Sequence, residues 1–301
     1  MQVDDSLPLS IFTPTFNRKR LLSRLYNSLL LQTNYSFEWL IVDDGSDDGT
    51  DALVNSWISD NLPFMLRYIR QENSGKHVAH NRGAIEAAGK FFMCVDSDDW
   101  LEPNAVAIVL KDSKLCKKEE GIIYPRLFAQ GSQTGQWFPT GIKFIELADM
   151  RMKYGFVIET AIVFRTSILR SHPFPVIDGE RYMPEGSAYF DFKTPECFLT
   201  QNTAFYRCEY LDDGLTKNIY KNWFNNPKGV VLALNKRFEA ACHYGGLRAF
   251  RERIAAIVGI ESLNMAHCIK AENGLSCNKI ISTVLMPLAF LYRNRRYGKA
   301  S

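Results

Sequence analysis

Over its first hundred residues the chain alternates short apolar runs with helical patterns, and each apolar run ends in polar residues. Leu9-Ser10-Ile11-Phe12-Thr13 reads as a strand stopped by Pro14. From Arg18 to Gln32, Leu21, Leu22, Leu25 and Leu29 recur at helical spacing with basic residues between them. Trp39–Val42 is a second strand. It delivers the acidic turn Asp43-Asp44-Gly45-Ser46-Asp47-Asp48-Gly49-Thr50, after which Thr50 or Asp51 can cap a helix. Met65–Ile69 is a third strand, Glu72–Lys76 a loop, and His77–Ala88 a small-residue helix ended by Gly89. Phe91–Val95 then runs straight into Asp96-Ser97-Asp98-Asp99-Trp100. That run has no polar face, so it reads as a buried strand. The order β-α-β-α-β-α-β, with short connections and right-handed crossovers, predicts a parallel, doubly wound sheet.

The pattern loosens afterwards. Pro103–Cys116 reads as a helix, Ile122–Tyr124 as a strand, and Phe128–Pro139 as a surface hairpin or loop. A short helix over Ala148–Phe156 and strands at Thr160–Phe164 and Ala204–Cys208 follow. From Gly229 onward the reading is helical, with Val230, Leu234, Phe238 and Cys242 on one face and a further helix from Leu247 to Ala271. His243 and His267 lie on these helices, where lone histidines are structural more often than metal ligands. The last apolar stretch, Ile280–Tyr292, is interrupted by Pro287 and followed by Arg293, Arg295, Arg296 and Lys299. It is too short and broken to span a bilayer. The segment Ile280–Lys299 can lie on an anionic membrane surface, or be a core helix with a solvated basic end. The expected division is an α/β domain over 1–225, in two halves at 7–110 and 111–225, then a helical region over 226–301.

Composition narrows the class. The 301 residues are 46% hydrophobic and 23% charged, ordinary for a globular protein. A net charge of +3 is too small to argue for nucleic acid. The seven cysteines show no zinc or redox spacing. Met1–Asp5 is acidic and does not read as a signal peptide. The expectation is a cytoplasmic protein with reduced thiols, at the inner face of the plasma membrane if the tail engages it.

Candidate chemistry gathers where strands end. Thr13/Thr15, Asp43/Asp44 and Asp96/Asp98 fall on one carboxyl-terminal edge, where open α/β sheets bind ligands. Carboxylates packed together repel one another, and burying them unpaired is costly. A magnesium or manganese ion bridging one or two of them to substrate phosphates relieves both problems. An isolated Asp-Ser-Asp also reads as a solvated turn, with Asp99 capping the next helix. Asp47, Asp48 and Asp51 read as turn and cap residues. No Gly-x-Gly-x-x-Gly follows the first strand and no Walker loop is present, so phosphate is held another way.

Four segments together carry a family resemblance: Thr13–Arg18, Val42–Thr50, Glu72-Asn73-x-Gly75 with Ala79-His80-Asn81-Arg82-Gly83, and Asp96–Asp99. In this order they resemble the GT-A-fold glycosyltransferases of family 2, inverting enzymes that use nucleotide sugars, and among them the bacterial surface-polysaccharide type. The resemblance covers about Leu7 to Leu110 and the rest more loosely. It implies an α/β, GT-A, Rossmann-like and mostly parallel sheet with a helical C-terminal extension. Thr13, Pro14 and Thr15 would line base and ribose, and Asp43 or Asp44 would accept from the uracil N–H. Gly75 would let backbone approach the nucleotide, Lys76 would sit near phosphate, and Asn81 and Ser97 would belong to the donor site. Asp96 would meet ribose or metal, and Asp98 the metal at the diphosphate. His80 departs from the pattern, where an arginine is usual.

Inverting transfer needs a carboxylate to take the acceptor hydroxyl's proton, and a cation at the departing diphosphate. Family 2 enzymes place a Glu-Asp pair where this chain has Pro184-Glu185. The base role therefore carries to Glu185, with Glu180 and then Asp191 as alternatives. Glu180 can instead pair with Arg181 or Lys193. In Glu209–Thr216, Thr216 or Lys217 would touch diphosphate, unless Asp213-Gly214 is an ordinary turn. The implied activity moves a hexosyl or N-acetylhexosaminyl group from a UDP-sugar, with Mn2+ or Mg2+, to a hydroxyl of a glycan or lipid-linked glycan acceptor in capsule, lipopolysaccharide or similar polymer assembly. A sugar nucleotidyltransferase is the rival enzyme, but it would carry a Gly- and Arg-rich loop where Pro14–Arg18 stands. A catalytically dead sugar-nucleotide-binding protein is the non-enzyme rival.

Overall fold

The structure, a computed structural model, describes residues 7–116, 121–132, 137–155, 159–190, 198–212, 214–267 and 279–298. In chain order the elements begin with β1 (Leu9–Thr15), α1 (Lys19–Leu30), β2 (Phe37–Asp43), α2 (Thr50–Ile58), β3 (Met65–Arg70), α3 (Lys76–Glu86) and β4 (Phe91–Cys94). They continue with β5 (Trp100–Leu101), α4 (Ala105–Ser113), β6 (Gly121–Phe128), β7 (Phe144–Ile145), α5 (Leu147–Asp149), a wide π-helical turn over Met150–Tyr154, β8 (Thr160–Arg165) and α6 (Thr166–Ser171). Last come α7 (Gly186–Tyr189), β9 (Phe198–Thr200), β10 (Tyr206–Cys208), α8 (Ile219–Asn225), α9 (Pro227–Cys242), α10 (Gly246–His267) and α11 (Lys279–Tyr297).

The strands form one sheet in the order β3-β2-β1-β4-β8-β6-β10-β5, with β9 on β6 and β7 on β9. β3, β2, β1 and β4 are mutually parallel, as the alternating pattern predicts. β8 is antiparallel to both β4 and β6, so the sheet is mixed beyond β4. Leu22, Leu25 and Leu29 form the buried face of α1, as their spacing requires. They join Ile11, Trp39, Val54 and Trp57 in the core, where Tyr26 stacks on Trp57 at 4.2 Å. On β1 and β2 every residue is buried. Gly83 lets α3 lie close on the sheet, since a Cβ there would sit 2.3 Å from the Phe12 ring.

Two compact units emerge. The first, residues 1–146, 156–173 and 194–209, holds the whole sheet. The second, residues 147–155, 174–193 and 210–301, holds α7 to α11 and gathers Val230, Leu234, Ile260, Leu263 and Tyr297 into its own core. The boundary expected at 225 is therefore displaced. Residues 174–193 join the helical unit because Asn226 Oδ1 accepts the Arg181 and Tyr182 N–H groups, and Glu180 accepts from the first turn of α9.

Other differences have local causes. The strands β5, β7 and β9 are two or three residues long, too short to show a period. The helix expected over Ala148–Phe156 is one turn followed by the π-helical turn, closed by Gly155 at φ 64°. Helix α11 runs unbroken through Pro287. Among the described residues no helix is long and apolar enough to cross a membrane.

Candidate active site

The end of β2 is held by neutral donors. Asp43 is fully buried; its Oδ1 accepts the Ser46 N–H at 2.8 Å and its Oδ2 the Tyr68 hydroxyl at 2.5 Å. Burial and then the Asp43 carboxylate push the Tyr68 phenol well above its usual range. Asp44 Oδ1 accepts from the Gln71 amide at 2.8 Å and the Ser74 N–H at 2.9 Å, while Oδ2 takes the Gly75 N–H at 2.7 Å. Gly75 precedes α3 at φ 98°, a conformation that favours glycine. The Gly75 N–H is thus given to Asp44.

The same turn is laced to the end of β1. Asn17, at φ 53°, accepts the Asp47 N–H at 2.9 Å and donates its own N–H to Ser46 Oγ. Asp48 accepts the Lys19 N–H at the start of α1, and the Thr50 N–H and hydroxyl at the start of α2. The α2 cap expected from Thr50 or Asp51 is supplied by Asp48. Thr13 is fully buried and its hydroxyl accepts the Trp39 indole N–H at 3.0 Å, so its side chain belongs to the core. Pro14 is buried too. Thr15 differs: its carbonyl accepts the Asp44 N–H at 2.8 Å, but its buried hydroxyl has no partner among the described residues.

The end of β4 is charged. Lys76 Nζ lies 2.7 Å from Asp96 Oδ1. The Asp96 N–H donates to the Tyr206 hydroxyl at 3.0 Å, and that hydroxyl donates to Asp99 Oδ2 at 2.8 Å. Arg126 faces Tyr206 in the β6–β10 register, stacks 3.9 Å over its ring and reaches to 3.6 Å from Asp99. Arg24 lies 4.0 Å over Trp100, pairs with Glu209 at 2.7 Å and donates to the Asp98 carbonyl. Ser97 is buried.

Electrostatics separates the three acids. Burial works to raise Asp96, but Lys76 and then Arg126 hold its carboxyl below the ordinary range. Burial, with Asp96 beside it, pushes Asp99 up to about 7 against the pull of Arg126. Asp98 is raised by burial and next by the Asp96 charge. Asp96 and Asp99 each have a cation within ion-pair distance, whereas on Asp98 burial and the Asp96 charge outweigh the pull of Lys76 and Arg18. Among the described residues no three His, Cys, Asp or Glu side chains are grouped to cage a metal alone. One or two carboxylates completed by substrate phosphate is the donor set that suits Mg2+ or Mn2+, and Asp98 with Asp96 fits it.

The first turns of α3 add two buried histidines. His77 is buried, both its ring nitrogens lack partners among the described residues, and burial lowers its pKa. His80 packs edge-on between Phe12 at 5.5 Å and Phe92 at 5.3 Å. Burial, and then Lys76, push its pKa down to about 3. At neutral pH position 80 therefore carries an uncharged ring, not a cation. Asn81 is half-buried.

The remaining candidates belong to the second unit. Glu180 is buried; Oε1 accepts the Lys228 N–H at 2.7 Å and Oε2 the Gly229 N–H at 2.6 Å. It completes the N-terminus of α9, where an anion is favoured; Arg181 is not its partner there, and Lys193 lies outside the described residues. Both oxygens being engaged, the geometry suits a helix cap and not a base. Glu185 precedes α7, is exposed, and has no side-chain partner among the described residues. Asp191 and Asp213 lie outside the described residues. Lys217 pairs with Asp212. His243 is exposed, and His267 packs 4.6 Å from Phe224.

Several residues at the β4 edge escape a reading by segments. Arg126 and Tyr206 are 80 positions apart and meet only through the β6–β10 pairing. Arg24 is one of several basic residues on α1, and nothing local marks it. The one available signal was a buried-strand arginine, which demands a carboxylate partner.

The family model described as "Glycosyl transferase family 2" matches residues 10–172, more than half of the chain. The glycosyltransferase GlyA of Streptococcus pneumoniae is 28% identical over 138 residues, 46% of this chain and 19% of that protein. The chondroitin synthase of Pasteurella multocida is 34% identical over 117 residues, 37% of this chain and 12% of that protein. The chain thus spans only a small part of the curated relatives it matches. Residues 1–349 of TarS from S. aureus, solved with UDP-GlcNAc, superpose at a TM-score of 0.58 with 16% identity, covering 96% of this chain and 89% of that one. The mannosyltransferase PcManGT of Pyrobaculum calidifontis, solved with GDP-Man and Mn2+, gives 0.55 with 16% identity, 97% and 84% covered.

Proposed function

The chain belongs to glycosyl transferase family 2, and from that premise we propose an inverting, metal-dependent transfer of a sugar from a UDP-sugar to a hydroxyl of a glycan or lipid-linked glycan acceptor in polysaccharide assembly. The observation that carries the reading is Asp98, a carboxylate at the end of β4 raised by burial and by the Asp96 charge while its neighbours have their own cations. Support for a nucleotide-sugar donor and a divalent cation comes from the UDP-GlcNAc of TarS and the GDP-Man and Mn2+ of PcManGT.

Asp98, with Asp96, would hold the cation. A divalent ion, when bound, supplies positive charge to the departing diphosphate. Lys76 adds a second cation beside it. The Asp43 and Asp44 turn orients the base, and the partnerless Thr15 hydroxyl is open to a base or ribose group. Glu185 accepts the acceptor proton as the hydroxyl oxygen bonds to the anomeric carbon and the bond to the diphosphate breaks. An α-linked donor then gives a β-linked product.

The test is a donor screen. Protein is mixed with Mn2+ or Mg2+ and each common nucleotide sugar, with candidate acceptors, and nucleotide release and thermal shift are read. One UDP-sugar is expected to bind with metal and turn over. Glu185→Gln should keep donor binding and melting temperature while turnover falls on the order of 10²–10³-fold. Glu180→Gln is the control, expected to lower the melting temperature and spare the turnover of folded protein. Binding with no turnover in any acceptor set would favour a dead binding protein. No nucleotide binding at all would sink the reading.

A further inference from the structure

Helix α11 touches the rest of its unit along one narrow seam. Ser282, Leu285, Ala289, Tyr292, Arg293 and Arg296, most of them at spacings of three and four, are its buried or half-buried positions, with Tyr297 at the end. Ser282 donates to Glu261 of α10, and Tyr297 enters the helical core. Most of the remaining helix surface is apolar and exposed. Ile281, Val284, Leu288 and Leu291 form an outer stripe, with Val284 72% and Leu291 64% exposed. Met286 and Phe290 lie beside it. The start of α10 extends the patch through the exposed Leu247 and Phe250. Phe250 and Leu288 line one groove of about 590 Å³, so these two surfaces are neighbours. A bare apolar patch of this extent marks an interaction surface.

Charge identifies the occupant. Residues 279–298 contain no Asp or Glu. Arg295 is exposed directly below Leu291 on the outer stripe, and Arg293 stacks 4.8 Å over Phe290. The apolar face therefore ends in a cationic collar that nothing acidic on its own helix balances. A parallel pairing with a second copy would set collar against collar, and an antiparallel one would leave both unpaired. An anionic lipid surface accepts the apolar stripe between its acyl chains and the collar among its headgroups. From Ile281 to Leu291 the stripe rises about 15 Å at helical pitch, roughly half the hydrocarbon thickness of a bilayer. That suits insertion into one leaflet. We propose that the outer face of α11, with Leu247 and Phe250 of α10, docks the helical unit on an anionic membrane surface.

The test is cosedimentation of the full chain with vesicles of phosphatidylcholine alone, or containing one-third phosphatidylglycerol. It needs no sugar donor, so it stands or falls apart from the proposed activity. Binding to the anionic vesicles should exceed binding to neutral ones by about tenfold or more, and fall with added salt. Val284→Glu with Leu291→Glu should abolish it. Arg293→Gln with Arg295→Gln should weaken it about 30-fold on anionic vesicles only. Val284, Leu291 and Arg295 are exposed, and the half-buried Arg293 contacts Phe290 and Asn294 of its own helix, so thermal melting and donor turnover without vesicles should match the parent. A parent that stays in the supernatant overturns the proposal, as does a Val284→Glu, Leu291→Glu protein that still binds. Sedimentation velocity supplies the other refutation: self-association that the same two substitutions abolish would assign the face to a second copy.

Discussion

The carboxylates after β2 and those after β4 stand on neighbouring ends of one parallel sheet, yet the fold treats them in opposite ways. Asp43 and Asp44 are almost wholly buried, and among the described residues their carboxylates accept from neutral donors: Ser46, Tyr68, Gln71, Ser74 and Gly75. Such bonds to an ionised acceptor are strong and directional, and they fix the loop that starts α3. Asp96, Asp98 and Asp99 are left repelling one another: Lys76 pairs with Asp96 and Arg126 reaches Asp99, while the pull of Lys76 and Arg18 on Asp98 is outweighed by burial and the Asp96 charge. One edge is finished by the protein; the other keeps a surplus of negative charge that a bound cation would complete. The first should therefore matter for stability and the second for turnover.

The largest expected effect breaks the charged edge. Asp98→Asn removes the carboxylate with the least compensation, and turnover should fall on the order of 10³-fold together with metal stimulation. Stability should hold or rise, because a repulsion is relieved. A stopped assay for nucleotide release and a melting curve read both. A large drop in melting temperature would mean that Asp98 is a structural acid like Asp44, and the contrast would collapse.

The neutral edge should respond the other way. Asp44→Ala strands the Ser74 and Gly75 N–H groups and the Gln71 amide in a buried setting. Roughly 3 kcal/mol of unfolding free energy should be lost, read as a shift of the denaturation midpoint. Donor affinity should weaken as a consequence, because the loop before α3 is no longer held. An unchanged midpoint would mean that the loop is fixed without Asp44.

How much of this was legible follows from distance along the chain. The β-α alternation, the four parallel strands and the acidic strand ends are local patterns, and they read out directly. Asp48 as a turn and cap acid was legible for the same reason, though its partners Lys19 and Thr50 were not. What escaped depended on contacts between distant segments. Thr13 looks like a strand-end ligand until Trp39 takes its hydroxyl. Glu180 sits in a run of acids that invites a catalytic reading, and only the approach of α9 makes it a cap. The Arg126–Tyr206–Asp99 arrangement needs β10 to return beside β6, a pairing no periodicity encodes.

A subtler effect joins the two edges through α3, which starts at the loop held by Asp44 and carries Lys76 to Asp96. His80, one turn further on, is buried between Phe12 and Phe92, and its pKa is pushed down to about 3 by burial first and Lys76 second. An unfolded histidine titrates near about 6.5. Between those values the unfolded chain binds the extra proton, so stability rises with pH across that window. The contribution is complete above about 6.5 and is lost as pH falls toward 3, roughly 2 kcal/mol of it by pH 5. Asp99 works in the opposite sense, because its carboxyl is pushed up to about 7 and takes a proton in the folded state first. The parent's pH slope therefore mixes the two, and the informative quantity is a difference. His80→Phe keeps an aromatic ring against Phe12 and Phe92 and removes the titration. Between pH 7 and pH 5 its melting temperature should fall by less than the parent's. Parallel melting curves across that range would mean that the buried ring is not the group the acid limb reports. The lacing of the two edges through α3 would then have no titratable signature.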